Sequence, residues 1–125
     1  MRASFLISIV TVTLALGAPA HAASDLNLLC KTEFTRPDGT QTDFLRQYEI
    51  NFGTGRVVGY DNVNGQFVQN FATNYVRADD RIVVIAQTRT VYHEINRLTG
   101  MAFSRMDNGE LKRGICSPSS PLGRN

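Results

Sequence analysis

Among the side chains that could do chemistry, His93 comes first, because imidazole exchanges protons near neutral pH, and Glu94 and Ser104 follow close behind it. A serine hydrolase needs these residue types, and it also needs a strained turn that exposes the nucleophile, such as G-x-S-x-G, which the chain lacks. His93 and Ser104 fall in the segments Val91 to Leu98 and Met101 to Met106, which read as flat strands with Glu94 on the face opposite His93. A small hydrolase using His93 is therefore an alternative reading, and the leading one assigns no catalytic residue. Asp79-Asp80 reads as a turn, because adjacent acids diverge and Asp favours turns through its own backbone hydrogen bonds. The run Asp61-Asn62-Val63-Asn64-Gly65 begins like a calcium loop, but Val63 offers no acceptor and Ala72 stands where a bidentate glutamate belongs. Neither a metal nor a cofactor is expected.

Cys30 and Cys116 are the only two cysteines, and their redox state depends on the compartment. Residues 1–22 answer that question. A basic Arg2, an apolar run from Phe5 to Leu16 and the small-residue stretch Ala20-His21-Ala22 have the plan of a cleavable export signal. The expected location is therefore periplasmic or secreted, where a Cys30–Cys116 disulfide would tie the first strand to the last. Two thiolates without C-x-x-C spacing or further ligands do not suit a metal. No stretch after Ala22 reaches the roughly 18 to 20 apolar residues of a membrane-spanning helix, so no transmembrane anchor is expected after processing.

Cleavage would leave twelve basic against eleven acidic side chains. That balance lacks the basic stripe of a nucleic-acid binder. The residues after the signal suit one domain over 23–116, followed by a Ser/Pro-rich tail over 117–125 that is expected to be disordered.

Within the domain, Pro37-Asp38-Gly39, Gly53-Thr54-Gly55, Asn64-Gly65, Thr99-Gly100 and Asn108-Gly109 mark turns, and the two Asn-Gly pairs are the strongest hairpin signals. Between them, Phe44, Arg46, Tyr48, Ile50 and Phe52 share one parity, with Gln47, Glu49 and Asn51 on the other. Phe67, Phe71 and Tyr75 likewise share a parity within Gln66 to Val76, and Ile82 to Ile85 reads as a central strand buried on both faces. The fold expected is all-β: an antiparallel meander of about eight short strands closing into a small barrel or sandwich. An open mouth would let Tyr48, Tyr75 and Tyr92 line a ligand pocket. The turns would offer contact loops at Asp61, Asn64 and Gly65 and at Thr99 and Gly100.

The stretch Tyr92-His93-Glu94-Ile95-Asn96-Arg97-Leu98-Thr99-Gly100, then Gly109 and Gly114-Ile115-Cys116, resembles the end of small uncharacterised exported β-proteins of Gram-negative bacteria. With a cysteine near each end, the overall plan is also similar to that of the periplasmic inhibitors of C-type lysozyme. That family's Ser-Gly-rich loop and lysine-glycine segment have no counterpart here, so no inhibitory residue carries over. The resemblance implies an exported β fold. The function expected is that of a non-enzymatic binding protein for a small ligand or an envelope protein, with inhibition of a lysozyme-like hydrolase as an alternative.

Overall fold

The computed structural model describes residues 25–122, so the expected signal segment lies outside the described residues. Nine strands form one antiparallel sheet: β1 (Asp25–Thr35), β2 (Gln41–Asn51), β3 (Arg56–Val63), β4 (Gln66–Asn74), β5 (Arg77–Ala78), β6 (Ile82–Gln87), β7 (Val91–Asn96), β8 (Met101–Met106) and β9 (Leu111–Pro118). Their order is β4-β3-β2-β1-β9-β8-β7-β6-β5, so two meanders meet where β1 pairs with β9. There is no helix among the described residues.

The two edge strands, β4 and β5, are consecutive in the chain and run in the same direction. Between them the Tyr75 N–H donates to the Gly55 carbonyl at 2.9 Å, and the Val76 N–H donates to the Val84 carbonyl of β6 at 2.7 Å. Successive amides of an extended chain point to opposite sides, so residues 66–78 act as one strand that pairs first with β3 and then with β6. This partner change curls the sheet into a half-barrel. Counting β4 and β5 together recovers the eight expected strands. The expected burial of Ile82 to Ile85 on both faces is seen, since the neighbours Val83 and Val84 are both fully buried, but the expected central place is corrected, because β6 lies next to the edge strand β5. Val83 and Ile85, two residues apart and so on one face, both join the core, and a bulge between Val84 and Ala86 shifts the register beyond them.

Inward-facing side chains fill the curl. Leu28, Ile50, Val57, Val83, Ile95 and Ala102 are buried around the disulfide, whose cysteines stand directly opposite each other in the β1–β9 ladder. Export aside, the expected Cys30–Cys116 bond is present.

Turn chemistry sets the hairpins. Asn64 and Gly65 both have positive φ, 53° and 87°, which gives the tight two-residue turn that the Asn-Gly pair favours. At Asn108-Gly109 only Gly109 is left-handed, so that hairpin takes a longer turn closed by Met106 N–H to the Glu110 carbonyl.

A second bulge, at Asn70, separates the pairs Gly59↔Phe71 and Tyr60↔Gln69. It moves Phe67 opposite Asn62 on the outer face, away from Phe71 and Tyr75, which pack against the core. The shared face expected for all three aromatics is thereby corrected. Gly59 makes room for the Phe71 ring: a Cβ there would sit 2.1 Å from a ring carbon.

The expected tail segment begins inside β9, which runs through Ser117 and Pro118. Beyond it, the Ser119 N–H donates to the Asn27 carbonyl, Gln47 Nε2 donates to the Ser120 carbonyl at 2.9 Å, and the Leu122 N–H donates to Glu49 Oε2. These bonds lay residues 119–122 across the outer face of β1 and β2. They explain why Gln47, placed by its parity on the wet face, is 1 % exposed.

Candidate functional site

On strand after strand, the inward polar residue lies on the same side of the inward apolar one. Arg46 precedes Tyr48 and Ile50 on β2, Asp61 follows Val57 on β3, His93 precedes Ile95 on β7, Ser104 follows Ala102 on β8 and Lys112 precedes Gly114 on β9. Because neighbouring strands alternate in direction, these positions gather at one end of the curl, beside the turns at 36–40, 64–65, 88–90 and 107–110.

Arg46 is the anchor. It is 4 % exposed, and its Nε and Nη2 donate to Asp61 Oδ1 and Oδ2 at 2.6 and 3.0 Å, a bidentate pairing. It is the one ion pair among the described residues. Burial alone would weaken the guanidinium, but the bonds to Asp61, with further support from Tyr48, hold its pKa above the ordinary arginine value. The bulge aims Asn70 at the same carboxylate, and its Nδ2 donates to Asp61 Oδ2 at 2.6 Å. The guanidinium carbon also lies 5.2 to 5.8 Å from the ring centroids of Phe44, Tyr48 and Phe71.

Tyr48 and His93 form the second part. The Tyr48 hydroxyl and His93 Nε2 are 2.7 Å apart, and the Phe71 ring stands edge-on to both. Burial raises the Tyr48 pKa. Burial, followed by the charges of Arg46 and Lys112, pushes His93 down from 6.5 to about 3. An imidazole held neutral in this way is a weak base at neutral pH, suited to hydrogen bonding more than to proton abstraction.

The third part is a row across three strands, in which His93 pairs with Ser104 and Ser104 with Lys112. Ser104 is 8 % exposed, and its hydroxyl has no hydrogen-bond partner among the described residues. Lys112 is half-buried with its ammonium 5.0 Å from the Phe34 ring centroid, and burial and then Arg46 lower its pKa against the pull of Glu110 and Asp61.

His93 gives a pH prediction. Above about pH 6.5 the ring is neutral in both folded and unfolded chains; as pH falls below that, the unfolded chain takes up a proton that the folded one refuses until about 3. Stability therefore declines through this window by up to roughly 1.4 kcal/mol per pH unit on account of this group. Between pH 7 and 4.5 the wild type is expected to lose about 2 kcal/mol more than His93→Gln. Equal losses in denaturant unfolding would show that His93 is not buried in its neutral form.

The other residues read from the sequence are placed apart. Tyr48 is in the core and Tyr75 packs against Phe52, whereas Tyr92 faces outward, where its hydroxyl donates to Glu94 Oε1. The three tyrosines do not share a pocket. Asp61 belongs to the polar cluster and not to a contact loop, and the Asn64-Gly65 and Thr99-Gly100 turns lie at opposite ends of the sheet. Hollows of about 450 and 410 Å³ flank β1 and β2, the first lined by Lys31, Thr32, Glu33, Asp43, Phe44 and Leu45. A smaller one of about 220 Å³ lies beside Leu28, Gly100 and Cys116. No group of three or more His, Cys, Asp or Glu among the described residues could hold a metal ion.

Lys112 and Asn70 were missed by sequence reasoning. The parity of Arg46 with Tyr48 and Ile50 was the one local sign of a buried charge. Comparison with protein-family models, curated proteins and solved structures finds no match, so the chemistry of the polar cluster has to carry the functional reading.

Proposed function

We propose that this chain is a non-enzymatic binding domain of an oxidising compartment, periplasmic or secreted, with its ligand held at the polar end of the curled sheet. The observation that carries the reading is the His93–Ser104–Lys112 row, where polar groups are withdrawn from water without enough protein partners. Folding leaves such groups unmet only at a cost of about 1–3 kcal/mol each, and a ligand that satisfies them recovers that cost on binding. The disulfide and the terminal segment brace the scaffold around them. His93, held neutral and bonded to Tyr48, serves here as a fixed hydrogen-bonding group.

The test is a thermal-shift screen of the oxidised protein against a small-molecule library, paired with turnover assays on ester, amide and glycoside substrates. Hits that raise the melting temperature of the wild type and lose their effect in Ser104→Ala, without turnover, are the expected result. Turnover that disappears in His93→Ala would replace this reading with that of a small hydrolase.

A further inference from the structure

The hydrogen-bond polarity of the cluster defines the charge of its ligand; this inference rests on the binding-domain reading and deepens it. The chain of donors starts at Arg46, which gives two N–H groups to Asp61 and whose positive charge also acts on the Tyr48 hydroxyl. A cation on that side turns the lone pairs of the Tyr48 oxygen toward itself, so the hydroxyl proton is directed to His93 Nε2, 2.7 Å away. With the hydroxyl donating, Nε2 is the acceptor and the ring proton is assigned to Nδ1. Nδ1–H has no acceptor among the described residues, although His93 is only 8 % exposed.

Ser104, directly opposite His93 in the β7–β8 ladder, has an equally buried hydroxyl with no partner among the described residues, and Lys112, directly opposite Ser104, has no carboxylate of the described residues within ion-pair distance. Facing side chains in such a ladder stand about 4.5–5.5 Å apart at Cβ. The row therefore presents an imidazole N–H, a hydroxyl and an ammonium; of the two acids near it, Asp61 is already engaged by Arg46 and Asn70, and Glu110 acts on Lys112 without forming an ion pair. Three neighbouring donors, one of them a cation held in no ion pair among the described residues, call for an acceptor-only anion.

We infer that the His93–Ser104–Lys112 row is a carboxylate-binding subsite for a small organic acid whose apolar body lies against Phe34 and Phe44. Both rings are half-buried on inward positions, and each already has a cation over its face, Lys112 on Phe34 and Arg46 on Phe44. The aromatic surface therefore lies beside the charges that would take the carboxylate.

Titration of the oxidised full chain with sodium benzoate and sodium octanoate at pH 7 and low salt, against benzamide and octanamide, tests this by NMR of the His93 ring nitrogens. Both acids are expected to shift the Nδ1 resonance and to bind at least about tenfold more tightly than their amides. Lys112→Met, which keeps the apolar stem, is expected to weaken the acids by at least about tenfold and leave the amides unaffected. Its circular dichroism spectrum and its melting temperature without ligand report whether it folds, and Ser104→Ala gives a second, milder loss in the same direction. Equal binding of acids and amides, or unchanged acid binding by folded Lys112→Met, overturns the carboxylate assignment and leaves the binding-domain reading standing. Failure of all four probes overturns the assignment as well, and the library screen then decides the broader reading by itself.

Discussion

Asp61→Ala is expected to destabilise the protein by about 3–5 kcal/mol, because it strands a guanidinium that is 4 % exposed. Arg46 has no easy escape from its charge: arginine stays protonated under all ordinary conditions, and here its pKa is held higher still. The lost partner also leaves Asn70 Nδ2 without its acceptor. Urea unfolding of the variant is the direct measurement. The double replacement Arg46→Met with Asp61→Val removes both charges and is expected to lie well above the single variant, since a buried pair as a unit adds little over a packed apolar substitute. A single variant within about 1 kcal/mol of wild type would mean that water enters around Arg46 and screens it.

The second large effect comes from the disulfide. Cys30 and Cys116 enclose a sequence separation of 86 residues, and restricting that loop in the unfolded chain is worth about 4–5 kcal/mol in the chain-entropy account. Cys30→Ala with Cys116→Ala is expected to lose about that much, with the β1–β9 ladder from Leu28–Pro118 to Thr35–Leu111 still forming once the chain folds. Far-ultraviolet spectra should keep their β signature while the urea midpoint falls. Cys30 is fully buried and Cys116 partly so, which leaves attack at the Cys116 sulfur as the one route in the folded state; reduction of the wild type should therefore speed up with urea as the sheet opens and exposes both sulfurs. A double variant with an unchanged midpoint would place the stabilisation elsewhere.

Local patterns carried much of the architecture and little of the site. Alternation in β2 placed Arg46 with Tyr48 and Ile50, and the structure buries all three; the Asn-Gly pairs and the cysteines near the two ends fixed hairpins and closure in the same way. What stayed hidden depends on partners distant in the chain. The extra residue at Asn70 leaves the alternation of Gln66 to Val76 intact on paper, yet it moves Phe67 to the other face, because a bulge is visible only against the facing strand. Gln47 was placed correctly by parity and wrongly by environment, since the segment that covers it lies 73 positions away. Lys112 looks like any solvated lysine until register sets it beside Ser104 and under the influence of Arg46.

The placement of β1 beside β9 has a mechanical consequence. If the two ends of the oxidised protein are pulled apart, tension entering at Asp25 passes through the Cys30–Cys116 bond and leaves along the residues after Cys116. The intervening loop is short-circuited and carries no load. Stretching should therefore release only the short flanking arms, whereas the same pull on the reduced protein would unravel the whole sheet and lengthen the tether by the extended length of those 86 residues.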